Sequence, residues 1–304
     1  MNDEPQPSPG ARRGIVDFRP ASLTALPTGL RLLQFAPSPA LRAHVQCFWY
    51  ARRIDADASG ANVSELLHPD GGMGLLFNFG GPVSRDDGVA ARAAWVDGPK
   101  LRSVRLRVGR DLDLLGVRFR PGSGALIVGK PLNELAGATP IPSDDLRHLT
   151  LEALHERLWQ TPDLTSRIAM LESFLLERLR HAEAMPAVVP ASLAWLRQRA
   201  RQGEGAASIA TLVDELPVGQ RRLERLFQRH VGLTPKRYAR LLRIARSREL
   251  IKQGGRGVAL TDTAHAAGYY DQAHFIHDFK AVTGMTPGGY REHVQRRYGH
   301  GVQP

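Results

Sequence analysis

The sequence predicts an α+β protein in two parts. A mainly antiparallel β domain with trailing helices comes first, then an all-α domain of two helix-turn-helix units joined by a linker helix. Three observations predict it. Apolar and polar residues alternate with a period of two in several stretches between residues 40 and 120. Helical periodicity takes over from about residue 123. The last third then repeats itself: Phe227, Gly232, Thr234, Pro235 and Tyr238 return as Phe279, Gly284, Thr286, Pro287 and Tyr290, each 52 positions on (279 − 227 = 52).

Residues 1–25 hold Pro5, Pro7, Pro9 and Gly10 with little periodicity, which reads as a flexible N-terminus. They contain no apolar h-region, so no signal peptide is expected. Val45, Cys47 and Trp49 then alternate with Gln46, Phe48 and Tyr50. His68-Pro69-Asp70-Gly71-Gly72 is turn chemistry leading into an apolar run from Met73 to Phe79. Val104, Leu106 and Val108 alternate with Arg105 and Arg107, and Leu115, Val117 and Phe119 with Gly116, Arg118 and Arg120. Gly109-Arg110 between these runs predicts a hairpin. It would turn Arg105, Arg107, Arg118 and Arg120 outward, as edge-protecting charges or as an anion site. A small antiparallel sheet or barrel over about 30–120 results, and a cupin-like barrel is compatible with it.

Short helices are expected at Ser123–Val128 and Leu132–Ala136, and longer ones at Asp144–Trp159 and Leu164–Arg180. In the last, Ile168, Leu171, Leu175 and Leu179 make one stripe. Pro186 and Pro190 among small residues mark the domain boundary. The expected division is a flexible terminus 1–25, a regulatory domain 26–185, a DNA-binding domain 190–296 and a tail 297–304.

In the first repeated unit, Ile209–Leu216 and a helix from about Gly219 to His230 flank a turn at Pro217-Val218-Gly219. The second helix turns Leu223, Leu226, Phe227 and Val231 inward and presents Gln220, Arg221, Glu224, Arg225 and Gln228 on the opposite face. That is the plan of a helix-turn-helix, whose second helix fits the DNA major groove. In the second unit Thr261–Ala267 is the support helix and Gly268 supplies the turn. Asp271 caps a helix that turns Phe275, Phe279 and Val282 inward and leaves Gln272, Ala273, Ile276 and His277 on other faces. Residues 234–253 form the connector, about 30 Å of helix at ~1.5 Å per residue. One turn of B-DNA is roughly 34 Å.

Charge agrees with this division. Residues 190–304 carry 19 Lys+Arg and 9 Asp+Glu, a net of +10; residues 1–189 carry 22 and 21, a net of +1. A localised positive field suits a polyanion. The lone Cys47 excludes an internal disulfide and a multi-cysteine zinc site. No apolar run approaches the roughly 20 residues of a membrane helix, so no membrane partner is expected.

Gly268-Tyr269-Tyr270-Asp271-Gln272-Ala273-His274-Phe275, followed by Phe279-Lys280, Gly284, Thr286-Pro287 and Tyr290-Arg291, resembles a known signature. It is that of the AraC/XylS family of transcriptional regulators, whose second unit reads Gly-Phe-x-Asp-Gln-x-His-Phe, Phe-Lys, Gly, Pro and Tyr-Arg. The resemblance covers about residues 192–294. This chain departs from it at His277, where Arg is common, and at Gly219, where Ser or a similar cap is usual. Phe48-Trp49, Pro69-Asp70-Gly71, Gly98-Pro99 and Gly116-Val117-Arg118-Phe119-Arg120-Pro121-Gly122 resemble an uncharacterised sensor-type domain found ahead of this DNA-binding domain in some members. Better-known sugar-sensing members carry a cupin-like barrel there.

The resemblance implies a cytoplasmic regulator of transcription. Its partners would be double-stranded DNA, RNA polymerase, an unknown small-molecule effector and a second copy of itself as a homodimer. The expected DNA-contacting residues are Gln220, Arg221, Arg222, Arg225, Gln272, Ala273 and His277. No catalytic residue, cofactor or metal is expected. The competing readings are an N-terminal domain that only dimerises, or an enzyme with a DNA-binding tail. His274 and His277 as metal ligands, Cys47 as a methyl-accepting thiol and His68-Pro69-Asp70 as a catalytic corner are the sharper alternatives to packing, inert burial and a turn.

Overall fold

The computed structural model describes residues 20–25, 30–53, 63–86, 90–91, 93–135, 146, 148–204, 209–216, 218–254 and 258–298. Most of the expected flexible terminus, the tail beyond residue 298, Ala136, Asp144, Pro217 and Gly255 lie outside them. In chain order the strands are β1 (Pro20–Ala25), β2 (Leu30–Phe35), β3 (Val45–Arg53), β4 (Val63–Leu67), β5 (Gly74–Asn78), β6 (Val83–Arg85), β7 (Ala90–Ala91), β8 (Ala94–Asp97), β9 (Val104–Val108) and β10 (Asp113–Phe119). The helices are α1 (Gly124–Val128), α2 (Leu151–Trp159), α3 (Leu164–Arg180), α4 (Val188–Arg201), α5 (Ile209–Glu215), α6 (Gln220–Val231), α7 (Pro235–Gly254), α8 (Leu260–Ala266), α9 (Gln272–Thr283) and α10 (Pro287–Tyr298).

One sheet runs β1-β2-β3-β10-β5-β8 and the other β4-β9-β6-β7, with antiparallel pairing in both. The antiparallel β domain followed by a helical domain is therefore as expected. The hairpin at Gly109-Arg110 is not: β9 and β10 belong to different sheets. Burial decides the matter. Leu114, Leu115, Gly116 and Val117 are all buried, so β10 needs neighbours on both edges and cover on both faces. It lies between β3 and β5. β9 exposes Arg105 and Arg107 and fits the half-solvated smaller sheet. The crossover is fixed by Phe79 N donating to Asp113 O at 2.8 Å and Gly81 N to Asp111 O at 2.7 Å. Gly116 must be glycine, because a Cβ there would fall 2.3 Å from the Trp49 ring.

The outward placement expected for Arg118 is also corrected. Cys47 and Arg118 are register partners on β3 and β10, and the Arg118 side chain is only 22% exposed, turned to Asp70. Arg105, Arg107 and Arg120 are exposed as expected. The turn at residues 68–72 is confirmed: Gly72 N donates to Asp70 Oδ1 at 2.8 Å, and Gly71 takes φ +78°.

The helix expected from Asp144 begins only at Leu151. Thr150 before it is held at φ +48°, a left-handed conformation that no helix continues through. α3 matches its expected span, with Ile168, Leu171 and Leu175 buried and Asp163 accepting from Ser166 N at 2.8 Å. α4 starts at Val188 and runs through Pro190, and α10 takes in the first residues of the expected tail.

Two large cores result. One joins the bigger sheet to α1, α2 and α3; the other, around Phe227, Tyr238, Ile244, Phe275 and Phe279, holds α4 to α10 together. The domains meet through short contacts. Gly232, the left-handed cap of α6, lies against Pro99 and Leu132, and Ser103 N donates to Val282 O of α9 at 2.8 Å. The repeated tyrosines both touch the turn at 68–72. A Cβ on Gly71 would fall 2.6 Å from the Tyr238 ring, and the rings of His68 and Tyr290 meet edge-on at 5.8 Å.

Candidate nucleic-acid interface

Both repeated units fold as helix pairs. In the first, Leu212 of α5 and Leu223, Phe227 and Val231 of α6 are buried. Gly219 offers no side-chain cap to α6, as its sequence implies, while Gly232 closes the helix at φ +76°. In the second, Gly268 takes φ +82° and Tyr269 N donates to Ala264 O at 2.9 Å, which ends α8. Asp271 Oδ1 accepts from His274 N at 2.7 Å and starts α9.

Every residue expected to meet DNA is exposed: Gln220, Arg221, Arg222 and Arg225 on α6, and Gln272, Ala273 and His277 on α9. They occupy the N-terminal halves of their helices. The C-terminal ends of the same helices are the ones pinned to the β domain. Polar side chains at the free end of a recognition helix are what groove entry requires. Gln220 Nε2 donates to Glu224 Oε1 at 3.1 Å, a local bond one helical turn long.

α7 is one uninterrupted helix of 20 residues, opened by Pro235 after Thr234, whose Oγ1 accepts from Arg237 N at 3.2 Å. It touches α4, α6, α8, α9 and α10, so it is a shared axis rather than a loose tether.

The residues that fix α9 on that axis are ones sequence reasoning missed. Asp278 is buried among Phe275, Phe279 and Val282. Its carboxylate lies 2.8 Å from Arg240 Nη2 and 3.6 Å from Arg243 Nη2, both on α7. It also accepts from the Tyr269 hydroxyl at 3.3 Å. Burial, foremost, raises the Tyr269 pKa and keeps its proton on. Arg243 in turn lies over the Tyr269 ring at 4.7 Å. The available signal was a carboxylate in the middle of an apolar helix face, which must be paired to be buried. His274 has a structural role too: its ring meets Tyr269 edge-on at 5.4 Å and approaches Asp278 at 3.4 Å. Cys47 is half-buried, its thiol pushed up by burial against the opposing pull of Arg118 and Arg120.

Comparison with known proteins agrees with this geometry. Residues 212–293 match a family described as a helix-turn-helix domain, and residues 33–140 match a domain of unknown function, DUF6597. The transcriptional activator RhaS of Pectobacterium carotovorum subsp. carotovorum (strain PC1) is 30% identical over 36% of this chain and 37% of its own length. A Streptomyces lividans protein described as an AraC-like transcription regulator is 29% identical over 62% of this chain and 66% of its own length. The chain thus spans little more than a third of the RhaS sequence it matches. A crystal structure of an AraC-type DNA-binding-domain protein from Chromobacterium violaceum is 24% identical, covering 38% of this chain and 95% of that one at a TM-score of 0.32. The C-terminal domain is a double helix-turn-helix module. Residues 212–293 are thus similar to a helix-turn-helix domain, and a separate domain of unknown function is matched ahead of it at residues 33–140.

Proposed function

We propose that this protein is a sequence-specific, duplex-DNA-binding regulator of transcription controlled by a small molecule bound in its N-terminal domain. α6 and α9 enter successive major grooves of one DNA face. Arg221 and Arg225 read base edges from the first and Gln272 from the second, while Arg222, Ala273 and His277 border the contact. Phosphate contacts from the basic domain supply much of the affinity. The observation that carries the reading is the shared scaffold. Two copies of one helix pair share one 20-residue helix, and each carries exposed polar side chains on the first half of its second helix.

Selection from random duplexes by the purified chain tests it. A recovered motif with two half-sites about 10 base pairs apart is the expected result. Affinity for that motif should fall roughly 10³- to 10⁵-fold between 50 and 200 mM salt if about 6–10 phosphates are neutralised. Recovery of no motif, or a flat salt response, would defeat the reading. RNA polymerase is the expected protein partner, a homodimer the expected assembly and the cytoplasm the expected compartment. No catalytic role is assigned to any residue.

A further inference from the structure

A cavity of about 430 Å³ lies between the two sheets of the β domain. It falls within the roughly 300–1,000 Å³ of small-ligand sites. Its walls are apolar: Leu30, Leu76, Leu112 and Leu114 are buried there beside the half-buried Trp49. Its rim is ionic. Arg118 donates from Nε to Asp70 Oδ2 at 3.2 Å and from Nη2 to Asp70 Oδ1. Asp97 is held by Lys100 and by Arg85 at 3.2 Å.

The Arg118–Asp70 pair is unequal. Arg118 stands on the central strand β10, and its side chain is 22% exposed against 44% for Asp70. Burial, foremost, lowers the Arg118 pKa to about 10. Asp70 is the more solvent-exposed partner and Arg118 the more desolvated one. An anion entering the cavity can therefore replace Asp70 without leaving an unpaired buried charge. Asp70 is also part of the turn that meets the second domain. Gly71 backs onto Tyr238, and His68 meets Tyr290. Those tyrosines are equivalent positions of the internal repeat, on α7 and α10; their rings pack against Phe227 of α6 at 6.3 Å and Phe279 of α9 at 5.5 Å, so one turn reaches both helix-turn-helix units through them.

We propose that this cavity takes an apolar small molecule with one anionic end. The anion displaces Asp70 from Arg118, and the released turn at residues 68–72 carries the change to both DNA-binding units through Tyr238 and Tyr290. The inference rests on the effector-controlled reading above and supplies its ligand class and its lever.

Two dyes of one shape test it on the full chain. 8-Anilino-1-naphthalenesulfonate is anionic; N-phenyl-1-naphthylamine has the same aromatic body without the charge. Asp70→Asn, on the surface turn, should tighten the anionic dye about tenfold by freeing Arg118, and leave the neutral dye unchanged within about twofold. Arg118→Gln should weaken only the anionic dye, by about tenfold or more. Leu114→Trp, which fills the cavity, should lose both. The saturating anionic dye should also speed amide exchange in segments 68–74, 234–241 and 286–293, and the neutral dye should not. Equal anionic-dye affinity in the parent and Asp70→Asn proteins would overturn the proposal. So would binding that leaves exchange at the two tyrosine-bearing segments unmoved. Neither readout involves DNA, so a failure here leaves the DNA-binding reading standing, and a failed motif selection leaves this one.

Discussion

Replacing Asp278 by Asn keeps the shape of the side chain and removes the charge that two α7 arginines share. Unit charges roughly 4 Å apart attract by about 4 kcal/mol at an effective dielectric near 20. Arg243, whose side chain is 15% exposed, experiences most of that. Arg240 is 34% exposed, and solvent screening reduces its share to about 1 kcal/mol or less. Desolvation of the carboxylate offsets part of the sum. The expected loss is about 3 kcal/mol, near the lower end of what breaking a buried pair costs. Urea unfolding monitored by circular dichroism measures it, with the slope unchanged if only stability moves. Arg243→Met alone and with Asp278→Asn completes a cycle whose coupling should exceed about 1 kcal/mol. A loss below about 0.5 kcal/mol, or additive single effects, would show that Asp278 does not hold α9 on α7.

Three further outcomes follow from the same contacts. Asp271→Ala removes the cap of α9 and should cost about 1 kcal/mol in urea unfolding, whereas Gly219→Ser on α6 should stabilise by a few tenths; equal small effects at both sites would contradict the cap assignment. His68 is half-buried near Arg248, Lys252 and His293, and its pKa falls from 6.5 to about 3, desolvation being the largest cause and those positive neighbours the next. A depressed His pKa means the folded chain binds fewer protons, so the stability it contributes is full above about pH 6.5 and is lost as pH drops toward 3, with about 2 kcal/mol gone at pH 5. His68→Asn should flatten stability between pH 7 and pH 5, and an unchanged slope would remove His68 from the cause. Arg225→Ala should cost ~1–3 kcal/mol of affinity and relax preference at one base position; uniform weakening on all sequences would move Arg225 to the phosphate-contacting class.

The helical domain was legible because its signals are local. Thr234-Pro235, Gly268 and Asp271 each act within one turn of chain, and each does in the fold what its residue type implies. The repeat located the inward residues Leu223, Phe227, Phe275 and Phe279, all buried. The β domain was legible only as alternation. Pairing is non-local, and the same Gly109-Arg110 turn serves a hairpin or a crossover. Arg118 read as an outward charge because alternation names a face but not what covers it. Its partner Asp70 lies 48 positions away. Asp278 escaped for the same reason, since its arginines sit on another helix.

Hydroxyl-radical footprinting on a selected duplex is the most direct measurement of the central claim. Two protected stretches on one DNA face, centred about one helical turn apart, are predicted. Arg225→Ala should open one of them and Gln272→Ala the other. A single protected stretch, or both variants opening the same one, would contradict an interface built from two equivalent helices on a common axis.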